Sequence, residues 1–296
     1  MNISKLDTAS VGYPVTRFGV SFFPVYLAIN ELPEISTEGL IIDELTKERV
    51  SGLSVRNPTK KPILLVEGEH LVGGKQNRAV NTTVLVPPLS KLEIPVSCVE
   101  QGRWGKRRAY KRNSSFTPRT VRSRLQETVN VSMQHGGSRR GNQNAVWKEV
   151  DNVLNRLEVK SVTGAAADLE EAYRRNGSLS EAVAKLVRMG PLPRQNGIVV
   201  THGTWVKAVD LFGSPNLLAA HWSRLIRSHL LETPTKPLPH SVERSLWAIR
   251  RFGLMDRTSC PGIGMGTERR MMDKIMVGQA LMLDEMIVHA SMVTRT

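Results

Sequence analysis

The chain has 296 residues, 40% of them hydrophobic, enough for one large domain or two ordinary ones around a sizeable core. Lys and Arg number 41 against 27 Asp and Glu, and the net charge of +14 favours an anionic partner such as a nucleotide, a sugar phosphate, nucleic acid or an acidic surface. Two distant cysteines, Cys98 and Cys260, support neither a disulfide framework nor a zinc site, and no apolar run approaches a membrane span. Met1–Ser10 carries no apolar signal core, so the expected setting is cytoplasmic, with no membrane partner.

Taken in order, Val15–Ala28 predicts one or two short strands, edge-like because Pro24 interrupts them. Leu40–Leu45 and Gly52–Val55 are short strand candidates, and Asn57–Lys61 is a turn before the apolar run Ile63–Val66. Strand patterns continue over Arg78–Val86 and Lys91–Glu100. A helical block follows. Thr117-Pro118 predicts its start, with Val121, Leu125, Val129 and Met133 recurring every four residues. Gln143–Glu158 and Thr163–Arg175 read as helices, and Ser178 with Glu181 forms a capping-box pattern before another. Strands resume in a hairpin over Ile198–Leu211. Ser214-Pro215 opens a helix, Ser241–Phe252 forms another, and Lys274–Asp284 with Met286–Val293 forms a terminal hairpin. The expectation is an α+β fold: a single compact domain, 1–296, whose antiparallel β-sandwich-like core (15–103) carries an inserted helical segment (117–189) and C-terminal β-hairpins (197–293).

Polar residues gather at the strand ends of Glu67–Trp104. Gly73-Gly74 presents Lys75, Gln76, Asn77 and Arg78, and the Lys91–Glu100 strand runs into Gln101, Arg103 and Trp104. Side chains alternate along a strand, so Arg78 continues the face of Val80, and Glu100 that of Val96 and Cys98. Both charges then point inward and need partners: each other, or a ligand. Glu67 and Glu69 read as sharing one face of the Ile63 strand, and without an Asp/His cluster they predict no metal. The basic run Arg103–Arg112, with Trp104 and Tyr110 interleaved, suits either a solvated loop or nucleic acid. Gly262-x-Gly264-x-Gly266 reads as a flexible turn rather than a dinucleotide fingerprint. His289, on the last strand, is a core residue or a general base.

The stretches EGEHLVGGKQNRAVNTTVLVPP, VSCVEQGRW and NQNAVWKEV resemble the domain family associated with ADP-ribosylglycohydrolases and rhodanese-phosphatase-superfamily proteins, over roughly Phe18–Val293. VKAVDLFGSPNLLAAHW, GIGMGTERR and MVGQALMLDEMIVHAS are similar to it more loosely. The resemblance implies a nucleotide-sugar ligand such as ADP-ribose; separately, no cofactor is expected. It points to Glu100, Glu69 and His289 as candidate catalytic residues. The candidate ligand contacts are Lys75, Gln76, Asn77, Arg78, Gln101, Arg103 and Trp104, with Gln143, Trp147 and Arg269 further along the chain. Three functions are expected to compete: binding, and hydrolysis, of a phosphorylated nucleotide or nucleotide-sugar; nucleic-acid binding through 103–124; and a non-catalytic interaction role.

Overall fold

Short apolar segments punctuated by glycine and proline fold into antiparallel sheets, and longer segments of helical period fold into helices, giving an α+β protein. This computed structural model describes residues 6–28, 32–47, 49–105, 108–234 and 239–295. The strands run β1 (Ser10–Val11), β2 (Val15–Arg17), β3 (Val20–Tyr26), β4 (Ile41–Glu44), β5 (Gly52–Asn57), β6 (Ile63–Leu65), β7 (Glu69–Val72), β8 (Arg78–Val80), β9 (Val84–Val86), β10 (Ser90–Cys98) and β11 (Lys111–Phe116). Helices α1 (Arg119–Gly136), α2 (Gln143–Arg156), α3 (Glu170–Arg175) and α4 (Gly177–Met189) follow. The rest of the chain holds β12 (Gly197–His202), β13 (Trp205–Phe212), α5 (Pro215–Leu230), α6 (Val242–Leu254), β14 (Arg257–Pro261), β15 (Thr267–Met272), β16 (Met276–Leu283) and β17 (Met286–Thr294). The chain divides into two compact units: Met1–Pro33, Ser178–Pro261 and Gly266–Arg295 in one, Glu34–Gly177 and Gly262–Met265 in the other.

The first unit is built on a nine-stranded sheet in the order β1-β3-β12-β13-β17-β16-β15-β14, with β2 also paired to β3. One face packs Phe23, Val25, Val209, Leu211 and Met292 against Ala248, Ile249 and Phe252 of α6. α5 starts as expected, Ser214 accepting the Leu217 N–H at 3.3 Å with Pro215 in the first turn, and its His221 ring stacks on Phe212. β3 is not an edge strand, because β12 pairs on one side and β1 and β2 on the other. The Pro24 carbonyl accepts from Gly12, so its missing N–H faces the break between β1 and β2, where the ladder needs no donor.

In the second unit a six-stranded sheet, β11-β7-β8-β10-β5-β4, and the pair β6-β9 share one apolar cluster that includes Leu53, Val55, Leu65, Val84, Ile94 and Val96. α1 begins at Arg119 rather than Pro118, since Thr117 donates its hydroxyl to the Gly68 carbonyl (3.1 Å) instead of capping the helix. Residues 163–165 are not helical: Ala165 bridges to Glu100 and helix starts only with the turn at Ala166. The Gly262–Gly266 stretch is no open turn either. Met265 pairs with Leu85, and a Cβ on Gly264 would lie 2.3 Å from the Leu85 carbonyl oxygen.

Candidate functional site

The Gly73-Gly74 pair lets two backbones touch. A Cβ on Gly73 would sit 2.3 Å from the Ala109 carbonyl oxygen, and one on Gly74 would sit 2.1 Å from the Tyr110 ring. Tyr110 then reaches Glu44, its hydroxyl donating to Oε1 at 2.8 Å, and the same oxygen accepts the Lys75 N–H at 3.0 Å. Arg103 closes the loop from the other side, donating to the carbonyls of Gly73 and Gly74 and to Asn77 Oδ1 at 3.0–3.1 Å. Its Nη2 also lies 2.7 Å from Glu100 Oε2. That carboxylate accepts from the Asn77 N–H and the Thr163 hydroxyl, each at 3.0 Å, and Gln76 Nε2 donates to the Glu100 carbonyl at 3.1 Å. Residues 73–78 and 98–104 therefore converge at one end of the β7-β8-β10 ladder.

Arg78 sits within this ladder, directly opposite Cys98 on β10 and Leu71 on β7, so the face predicted from alternation is the face observed. It is 0% exposed. Its Nη1 donates to Gln76 Oε1 at 3.1 Å, while Nε and Nη2 have no acceptor among the described residues. Arg78 and Glu100 do not neutralise each other; the ion pair of Glu100 is with Arg103. Burial works against ionised Glu100, but the bonds from Arg103, the Asn77 N–H and Thr163 hold its carboxyl below the ordinary range. Burial pushes the Cys98 thiol up and makes it a poor nucleophile. His70 is driven down to about 4 by burial, against the pull of Glu100, and is neutral at pH 7. The register sets His70 opposite Ala79, on the other face from Arg78.

The remaining predicted residues divide. Lys75 Nζ lies 5.2 Å from the centre of the Trp104 ring, which is 57% exposed, and Gln101 is also exposed. Gln143 binds backbone: its amide accepts the Cys98 N–H (2.8 Å) and donates to the Cys98 carbonyl (2.7 Å), standing in for a strand residue where β10 ends. Trp147 lies against the Cys98 thiol. Glu69 is held by Arg112 and by the Val66 N–H, and Glu67 by Arg122 and Gln126. The two carboxylates do not share a strand face, because the chain turns at Gly68 (φ +80) between β6 and β7. Arg269 and His289 belong to the first unit. Arg269 pairs with Glu285, and His289, fully buried, lies 3.7 Å from Asp210 and against the Phe212 ring. Lys106 and Arg107 of the basic run lie outside the described residues. Glu44, Thr163 and His70 escaped sequence reasoning; for Glu44 the signal was there, since it shares with Ile42 the buried face of β4. Among the described residues no group of three or more His, Cys, Asp or Glu could hold a metal ion, and no helix is long and apolar enough to cross a membrane.

The fold and this cluster define an α+β protein with a densely hydrogen-bonded polar centre at one end of an antiparallel ladder. Residues 11–293 match the ARG and Rhodanese-Phosphatase-superfamily-associated Protein domain, and the chain belongs to that family. No curated protein and no solved structure matches it.

Proposed function

We propose that the second unit binds a phosphorylated nucleotide or nucleotide-sugar, ADP-ribose being the ligand class that the family's name suggests, at the rim formed by residues 73–78 and 98–104. One observation carries the proposal: the Arg78 guanidinium is wholly buried, ion-paired with no carboxylate among the described residues, and has two nitrogens without acceptors. A buried cation left so is costly, and an anionic group of a ligand would complete it. Lys75 and Trp104 at the exposed rim suit a second phosphate and a stacked base, and Gln76, Asn77 and Gln101 suit ribose hydroxyls and ring edges. Arg103 acts as a clamp on Glu100 and the Gly73-Gly74 carbonyls rather than as a phosphate ligand. Because Arg78 has no exposed surface, entry requires the segment that Arg103 and Tyr110 hold over Gly73 and Gly74 to move aside.

Binding is the core of the proposal. Hydrolysis would need Glu100 or Glu69 as proton donor or acceptor, and each is saturated by an arginine, so catalysis by either begins with release of that pair. Nucleic-acid binding through 103–124 has fewer available cations than the sequence suggests, because Arg103, Arg112, Arg122 and Arg124 are each committed to a carboxylate.

A thermal-shift titration tests the proposal. A hundredfold excess of ADP-ribose over its Kd should raise the Tm by roughly 5 °C, and Arg78→Met should cut that rise sharply. An unchanged Tm with ADP-ribose, ADP and AMP, all at millimolar concentration, overturns it, and so does an ADP-ribose shift as large in Arg78→Met as in wild type.

A further inference from the structure

The first unit carries a second cleft, independent of the site just proposed. It has a volume of about 570 Å³ and lies between the exposed side of α6 and the β15–β16 turn. This is the size range of small-molecule sites. Trp247 and Leu254, on one ridge of α6, leave 48% and 69% of their surface in solvent, adjacent apolar groups facing the same cleft. Met255 and Met272 add apolar lining.

The indole of Trp247 is braced. The Arg251 guanidinium lies over its ring, 5.1 Å from the centroid, and is itself held by the Asp273 carboxylate. Asp273 is fixed in turn by the N–H groups of Ile275 (2.7 Å) and Met276 (2.8 Å) in the β15–β16 turn. The stack of carboxylate, guanidinium and indole presents a pre-set aromatic surface at the cleft, so little side-chain entropy is lost when a planar ring packs on it. Arg250 lines the same cleft, and no ion pair ties it down among the described residues. Asp256, exposed at the rim, offers an acceptor. An acidic peptide or an anionic membrane would meet Asp256 as a repulsive charge, whereas a small ligand can place its donors there.

We infer that this cleft binds a nucleoside monophosphate, its base packed against Trp247, its phosphate on Arg250 and its hydroxyls or ring amine on Asp256. The test is fluorescence titration of the whole chain carrying Arg78→Met, in which the site of the preceding subsection lacks its anion contact. AMP should quench indole emission saturably. Adding Trp247→Leu should remove that quench at unchanged Tm, since the ring is half exposed. Arg250→Ala, and adenosine in place of AMP, should each weaken binding on the order of tenfold, the worth of one charge-assisted contact. A flat titration to millimolar AMP overturns the inference. So does a quench that persists in Trp247→Leu, or adenosine binding as tightly as AMP. Failure here leaves the Arg78 site untouched, because ADP-ribose stabilisation is measured on the chain with Arg78 intact.

Discussion

Arg78 and Arg122 are both 0% exposed and both in the second unit, and they differ in what their guanidiniums meet. Arg122 reaches from α1 to Glu67, itself 0% exposed, at 3.0 Å, and fills the space that a Cβ on Gly68 would take. The Arg78 guanidinium instead donates to the neutral side chain of Gln76 and, among the described residues, pairs with no carboxylate. The first is a buried cation with its counter-charge built in; the second is a buried cation with no carboxylate paired to it among the described residues. Burial alone therefore does not mark a functional arginine. The arrangement of acceptors around it does.

The largest effect expected from that contrast comes at Arg122. Arg122→Met strands the Glu67 carboxylate in the core and should cost about 3–5 kcal/mol in urea unfolding. A loss below about 1 kcal/mol would make the two arginines equivalent and break the comparison. An intermediate loss belongs to Glu100→Gln, which unpairs Arg103: about 1–2 kcal/mol at pH 7, discounted because Arg103 is 20% exposed. The folded carboxyl lies below its unfolded value of about 4.5, so this stability is present above that pH and fades as pH falls through the folded value. Wild type and Glu100→Gln should thus converge in acid. A Glu100→Gln loss as large as that of Arg122→Met would show that Glu100 serves Arg78 as well. The smallest effect is predicted for Arg78→Met without ligand, within about 1 kcal/mol of wild type or more stable, because a buried cation without a partner is replaced by a side chain of similar length.

Local patterns were legible where local rules decide. Ser214-Pro215 capped a helix, β12 with β13 and β16 with β17 formed the hairpins, and alternation placed Arg78 on the face of Val80. Choices of partner were not legible, since they are made across the chain. Glu69 and Arg112 are 43 residues apart, and Glu67 and Arg122 are 55 apart. Nothing in EGEH distinguishes two carboxylates on one strand from two turned away from each other by a glycine at positive φ. Pro24 misled for a related reason: its missing donor looks like an edge until Gly12 is seen opposite it.

The amide of Gln143 has a further consequence. By imitating a peptide group beside Cys98, it lets the sheet stop without a frayed end, and the chain beyond is released toward Glu100. Gln143 is also the first residue of α2, anchored by the Asn142 side chain on the Ala145 N–H. The opening turn of that helix and the polar rim are thus mechanically joined, and a tilt of one is felt by the other.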